Sequence, residues 1–165
     1  MPSQPSSGRP ATLAQRVGRA YPRREWELLT SLPREVVVAA VALRADRPPS
    51  AVAEGLAGLD AIAAGRFSDS DLVRAVAAAI YAETPATAGL AAATGSSGPE
   101  VVLGDCRTAT AALAVRTDPA DSAAYRQWLQ HVAARVCGAG RVGRPVAGDA
   151  ERAYLAALGA ALGLR

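Results

Sequence analysis

The chain has one histidine and two cysteines, the side chains on which nucleophilic, acid–base or zinc chemistry often relies. His131 and Cys137 lie six residues apart in a predicted helix, so they point about 120° apart around its axis. They cannot meet at a common atom through that helix alone. Cys106 falls on the apolar stripe of another predicted helix, which favours an inert buried thiol. A contact between Cys106 and His131 across neighbouring helices remains open.

Other catalytic and cofactor patterns lack the context that they need. Residues 138–143 match the dinucleotide fingerprint G-x-G-x-x-G, but a predicted helix precedes them and Pro145 follows. One histidine is too few for a ferritin-like di-iron site or a typical zinc site. The serines at 96–98 do not indicate a serine hydrolase, because they lack the nucleophile elbow of that class of enzyme. An all-carboxylate magnesium site stays open, although Asp69 and Asp71 fit the start of a helix better. We expect no catalytic residue, metal ligand or cofactor.

A ligand pocket could form where aromatic and basic side chains of a predicted helix at 118–138 meet neighbouring helices. Its lining would come from Tyr125, Trp128, His131 and Arg135, from Trp26 of an earlier helix, and from Tyr81. The aromatic positions also follow the apolar stripes of their helices, and this periodicity favours ordinary core packing. The packed core is therefore the main expectation and the pocket the alternative.

The helix that would position these residues has the clearest start signal in the chain. Asp118 can accept hydrogen bonds from free backbone N–H groups, and Pro119 suits the first helical position. Asp121 places a negative charge at the positive end of the helix dipole. The apolar stripe that follows consists of Tyr125, Trp128, Leu129, Val132 and Val136. We expect this helix to organise the core.

Helical periodicity, start signals and breakers predict helices along the rest of the chain. They cover residues 11–20 (weakly), 22–31, 33–46, 50–65, 68–83, 99–116 and 149–162, with an Ala-rich turn or helix within 86–99. Pro33 is expected to begin a new helix, although the run Val36–Val38 is also compatible with a buried strand. The expected fold is all-α, an irregular bundle of six to eight helices.

The predicted helix at 50–65 combines an apolar stripe with glycines. The stripe consists of Val52, Leu56, Leu59 and Ile62, so we expect these side chains to face the core together. Gly55 and Gly58 cost helix stability, and they would allow a neighbouring helix to approach closely.

Composition fits a single helical domain at residues 22–165 after a disordered or weakly helical basic leader at 1–21. Half of the 165 residues are apolar but only 4% are aromatic, which favours Ala-rich helices over a sheet. All 18 basic residues are arginine, which points to a GC-rich bacterial genome more than to phosphate binding. Residues 9–24 hold five of them and no acid, so this arm could contact nucleic acid, anionic lipid or an acidic partner.

No run approaches the ~18 consecutive apolar residues of a membrane span. The first ten residues lack the apolar core of a secretory signal. We therefore expect a cytoplasmic protein in which Cys106 and Cys137 do not form a disulfide.

Two groups of apolar positions stand near the start and the end of the expected domain. The first is Trp26-x-x-Leu29 with Leu32-Pro33-x-x-Val36, and the second is Tyr125-x-x-Trp128-Leu129-x-x-Val132-Ala133-x-x-Val136 before a Gly-rich linker and a last helix. This pattern resembles small all-helical bacterial proteins of uncharacterised function, and the resemblance covers most of residues 24–162. It implies the fold and brings no activity, cofactor or catalytic residue.

Three functions remain as expectations. The first is a non-enzymatic cytoplasmic module that binds another protein or itself, since the helices are well capped and no coherent catalytic set is present. The alternative is a small-molecule binding protein or enzyme with a pocket between helices near Trp128 and His131. The third is nucleic-acid binding through the arginine-rich leader.

Overall fold

The computed structural model describes residues 11–43, 48–83, 98–139 and 148–164. These ranges contain seven α-helices, one short 3-10 helix (Gly65–Phe67) and no β-strand. The α-helices are α1 (Leu13–Gly18), α2 (Arg23–Ala42), α3 (Pro48–Ala64), α4 (Asp71–Glu83), α5 (Pro99–Arg116), α6 (Pro119–Ala139) and α7 (Asp149–Ala161). The prediction of an all-α bundle of six to eight helices is confirmed. The predicted turn at 86–99 and the glycine-rich match at 138–143 lie largely outside the described residues.

The centre of the bundle is formed by α2 and α6. Helix α2 packs against α3, α4, α5 and α6, and α6 also contacts α3, α4, α5 and α7. Both helices contribute fully buried side chains to one core, among them Leu29, Leu32, Val36, Val37, Tyr125, Leu129, Val132 and Val136. None of the described helices is long and apolar enough to cross a lipid bilayer.

The start of α6 has the predicted geometry. The backbone N–H of Ala120 donates to Oδ1 of Asp118 at 2.8 Å, and the N–H of Ser122 donates to the Asp118 carbonyl at 2.9 Å. Pro119 occupies the first helical position, where a missing N–H costs nothing. This part of the prediction rests on local interactions, and it is confirmed.

The predicted helix boundary at Pro33 is wrong, because α2 continues through this residue to Ala42. A proline inside a helix removes one N–H donor and leaves the carbonyl four residues earlier, here that of Leu29, without its helical partner. The buried hydroxyl of Tyr125 donates to that carbonyl at 2.8 Å. In the preceding turn, the hydroxyl of Thr30 donates to the carbonyls of Trp26 and Glu27. The helix therefore tolerates Pro33 because a neighbouring helix supplies the lost hydrogen bond.

The predicted inward stripe of α3 is only partly correct. Ile62 is fully buried, but Val52 is 69% exposed and Leu56 is 57% exposed, whereas Glu54 is only 1% exposed. Gly58 explains this orientation, since a Cβ atom there would lie 2.6 Å from Cγ2 of Val37 and 2.8 Å from Cγ2 of Val136. The close approach predicted for the glycines of α3 is thus confirmed at Gly58, and this approach turns the larger apolar side chains outward.

The described part of the leader is anchored to the bundle. Helix α1 begins with a capping box between Thr12 and Gln15 and packs against α4. Tyr21 is buried, and its hydroxyl forms a 2.6 Å hydrogen bond with Oγ1 of Thr117 at the end of α5. Residues 1–10 lie outside the described ranges.

The end of α7 is fixed by a glycine and by an arginine of α6. Gly163 has a φ of 64°, and its N–H donates to the carbonyl of Ala160 while that of Leu164 donates to Gly159. This pattern is the Schellman motif, which favours glycine at the left-handed position. Nη1 of Arg126 donates to the carbonyl of Leu162 at 3.2 Å, so α6 also satisfies an acceptor at the end of α7.

Candidate functional site

Two of the predicted ligand-binding residues, Tyr125 and Trp128, lie together in the core. Their rings meet edge to face with centroids 5.9 Å apart. Nε1 of Trp128 donates to the carbonyl of Ala61 at 3.1 Å, just as the hydroxyl of Tyr125 donates to that of Leu29. The polar ends of both aromatic side chains are therefore used to join α6 to α3 and to α2.

Burial determines the ionisation of Tyr125. Loss of solvent raises the pKa of its phenol well above the ordinary value, and the nearby Cys106, Glu35 and Tyr21 act in the same direction. The hydroxyl therefore stays protonated as a hydrogen-bond donor. A phenol with a raised pKa is poorly suited to act as a base or nucleophile near neutral pH.

The ring of Trp128 fills the space above a glycine. A Cβ atom at Gly65 would lie 2.7 Å from Cζ2 of Trp128, a distance at which one of them must move. Trp128 thus packs directly against the junction between α3 and the 3-10 helix. Its contacts on this side are those of a core residue.

The other predicted tryptophan, Trp26, belongs to a different aromatic pair. Its ring stacks on that of Tyr21 with centroids 6.0 Å apart, at the corner between α1 and α2. A Cβ atom at Gly18 would lie 3.0 Å from Cε2 of Trp26, so the ring also covers the end of α1. The two tryptophans therefore belong to different aromatic pairs, although both contact the same core.

His131 and Arg135 are exposed on the outer side of α6, one helical turn apart. The side chain of neither residue forms a hydrogen bond or ion pair with another described residue. Tyr125 and Trp128, in contrast, are buried in the core. The predicted site residues therefore divide into a buried aromatic pair, a second aromatic cluster around Trp26, and two solvent-facing polar residues.

Both cysteines are buried, and no disulfide joins them. Desolvation raises the pKa of the Cys106 thiol to about 12, with smaller contributions from the negative charges of Asp105 and Glu35. A thiol of this kind is almost entirely protonated near neutral pH and is a weak nucleophile. Among residues 11–43, 48–83, 98–139 and 148–164, no group of three or more His, Cys, Asp or Glu side chains is arranged to hold a metal ion.

A surface that the sequence did not predict lies on the outward side of α3. It consists of Val52, Leu56 and Asp60 of α3, Arg66 and Phe67 of the 3-10 helix that follows, and Tyr81 of α4, and we call it the α3 patch. Phe67 is 85% exposed, which is unusual for a large apolar side chain. Tyr81 of α4 joins the patch, because its hydroxyl donates to the carbonyl of Leu59 at 3.2 Å. The guanidinium of Arg66 lies 4.7 Å from the centre of the Tyr81 ring in a cation–π contact.

A signal for this surface was present in the sequence. Gly58, Ala61 and Gly65 recur at helical spacing and mark a face of small residues. Such a face can be packed most closely against other helices. Because α3 buries its small residues, its large apolar side chains at Val52 and Leu56 are turned to the opposite side.

By its fold and its surface, the protein belongs to the class of helical bundles that expose apolar side chains on one helix. Comparison of the chain with protein-family models, curated proteins and solved structures gives no match.

Proposed function

We propose that this protein is a non-enzymatic cytoplasmic interaction module that binds another protein chain through the α3 patch. The observation that carries the proposal is the orientation of α3, which exposes Val52 and Leu56 and buries Glu54. A helix that is apolar on both faces is typical of one that is covered on both faces. One face of α3 is covered by α2 and α6, and the other would be covered by the partner.

The charges of the α3 patch favour a protein as the partner. Asp60 and Arg66 are its two charged residues and have opposite signs. Binding would therefore be driven mainly by burial of apolar side chains such as Leu56 and Phe67. Nucleic-acid binding, in contrast, depends on several cationic contacts to phosphates.

The interior of the bundle supports a structural role for its most conspicuous residues. Tyr125 and Trp128 each donate a hydrogen bond to a backbone carbonyl, and the Cys106 thiol is buried with a raised pKa. These contacts stabilise the fold. Two buried cysteines without a disulfide are consistent with a reducing compartment such as the cytoplasm.

The proposal can be tested by affinity purification from the native host with matched variants. Leu56→Asp places a charge in the centre of the α3 patch, and Val115→Asp makes the same change at an exposed position on α5. The wild type and Val115→Asp should retain the same protein, identified by mass spectrometry, and Leu56→Asp should lose most of it. Circular dichroism would check that each variant is folded. Equal retention by Leu56→Asp and the wild type would refute the proposal.

A further inference from the structure

We infer that this protein also binds the sugar–phosphate backbone of double-stranded nucleic acid, through a basic surface where α1 meets α2. The surface consists of Arg16, Arg19, Arg23 and Arg24, and we call it the arginine corner. It shares no residue with the α3 patch. The inference therefore stands or falls independently of the proposed function.

The positive charge of the chain is concentrated around this corner. The whole chain has 18 arginines and 15 acidic residues, which gives a net charge of +3. Residues 9–24 contain five of the arginines and no acidic residue, so the other 13 arginines are outnumbered by the 15 acidic residues. Outside residues 9–24 the chain is thus net negative. The argument rests on this placement and not on the use of arginine instead of lysine, because a polarised charge distribution orients the basic end towards a polyanion.

The fold presents the arginines of α1 outward from the bundle. A Cβ atom at Gly18 would meet the ring of Trp26, so this side of α1 faces α2. Arg16 and Arg19 lie about 160° and 100° from Gly18 around the helix axis and about 60° from each other. Both are exposed, and they point away from the contact with Trp26. Because α1 is packed against α4, these two charges are held on the surface of the bundle.

The acidic residues that follow the corner already have partners. Oε1 of Glu27 lies 2.7 Å from Nε of Arg23, and Oε2 of Glu25 lies 2.8 Å from Nε of Arg116 on α5. The exposed arginines of the corner that form no ion pair with another described residue are Arg16, Arg19 and Arg24. Their charges are therefore available to an external anion.

The other side chains of the corner favour a duplex backbone as that anion. Among residues 11–24, no large apolar side chain is exposed, so the corner has nothing to insert into a lipid surface. The ring of Trp26 is stacked on Tyr21, and no aromatic face is offered to the bases of a single strand. A duplex needs neither feature, since its closely spaced phosphates bind arginine by charge and by paired N–H donors.

The test is fluorescence anisotropy of a labelled DNA duplex of arbitrary sequence, titrated with the full chain at several salt concentrations. Three to four phosphate contacts predict a Kd on the order of 100 µM at about 150 mM NaCl, and binding about 20- to 50-fold tighter at about 50 mM. Arg16→Ala/Arg19→Ala should weaken binding at least about tenfold at the lower salt and reduce the slope of log K against log salt by about 1.8.

A matched control removes the same charge elsewhere. Arg107 on α5 and Arg135 on α6 are exposed and form no ion pair with another described residue. Arg107→Ala/Arg135→Ala should leave the Kd within about threefold of the wild type, because it changes the net charge without removing a phosphate contact. Leu56→Asp in the α3 patch should also leave duplex binding within this range. Circular dichroism would check that each variant is folded.

Three results would overturn the inference. The first is a full chain that does not bind the duplex at about 50 mM NaCl up to several hundred micromolar protein. The second is equal weakening by the two double variants, which would mean that net charge alone governs binding. The third is a chain that sediments with phosphatidylserine vesicles but does not bind the duplex, which would assign the arginine corner to an anionic membrane.

Discussion

Tyr125 supplies the hydrogen bond that Pro33 removes from its own helix. Its hydroxyl donates at 2.8 Å to the carbonyl of Leu29, the acceptor that an N–H at position 33 would otherwise reach. The two residues lie on different helices at the centre of the bundle. This relationship allows α2 to run unbroken from Arg23 to Ala42, and it makes the contact between α2 and α6 specific.

Removing the Tyr125 hydroxyl should therefore destabilise the fold. In Tyr125→Phe the buried carbonyl of Leu29 has no partner, and we expect a loss of about 1–3 kcal/mol in the free energy of unfolding, measured by urea denaturation. In a Pro33→Ala background the new N–H can serve that carbonyl, so the same change should cost less than about half as much. Equal costs in the two backgrounds would contradict the relationship.

A matched control for this measurement is Tyr154→Phe. Tyr154 is also buried, but its hydroxyl has no hydrogen-bond partner among the described residues. Removing a buried hydroxyl that is not hydrogen-bonded should be neutral or slightly stabilising. The contrast between the two tyrosines separates loss of a hydrogen bond from the general effect of Tyr→Phe in a core.

Glycine-to-alanine changes in two helices should have opposite effects. Gly58→Ala would place a methyl group 2.6 Å from Val37 and 2.8 Å from Val136, so α3 must move away from the core. We expect a loss of about 1–3 kcal/mol from this overpacking. In Gly104→Ala on α5, the new methyl group meets no atom within 4 Å. Alanine should stabilise that helix by about 0.5–1 kcal/mol, and thermal denaturation of both variants would check the difference in sign.

The cap of α6 should contribute measurably to stability. Asp118→Ala removes the 2.8 Å hydrogen bond to the Ala120 N–H and should cost about 0.5–2 kcal/mol. Asp118→Asn keeps an oxygen acceptor and should recover most of this loss. Asp69→Ala, an exposed position outside the helices, should change the free energy by less than about 0.5 kcal/mol. If Asp118→Ala and Asp69→Ala changed the free energy of unfolding equally, the cap would not contribute to stability.

The sequence predicted those features that depend on neighbouring residues. The start of α6 at Asp118 follows from side-chain and backbone groups within one turn, and it was predicted correctly. The continuity of α2 through Pro33 depends on Tyr125, a residue distant in sequence, so local rules placed a helix boundary there. The orientation of α3 likewise depends on the space available at Gly58 between Val37 and Val136. The stripe of Val52 and Leu56 alone could not reveal it.

The predicted ligand site illustrates the same limit. Periodicity correctly indicated that Tyr125 and Trp128 pack in the core, because both residues fall on the apolar stripe of one helix. It could not show that their polar atoms bind the carbonyls of Leu29 and Ala61, since these acceptors belong to other helices. It also could not show that the ring of Trp26 stacks on Tyr21 and does not contact the pair of Tyr125 and Trp128.

The stability of the fold should decrease as the pH rises above about 9. Burial raises the pKa of Cys106 from 9.0 to about 12, and it also raises the pKa values of Tyr125 and Tyr154. An acid with a raised pKa in the folded state ionises first in the unfolded chain, so the stability that it contributes is complete below its unfolded pKa. It is then lost as the pH rises towards the folded pKa, with a slope of up to about 1.4 kcal/mol per pH unit for each group.

Urea denaturation between pH 8 and about 11, with a reductant present, would measure this slope. Cys106→Ala removes one of these groups and should give a shallower slope in the same range, whatever its effect on stability at pH 8. An identical slope would show that the Cys106 thiol is not shielded from solvent in the folded protein.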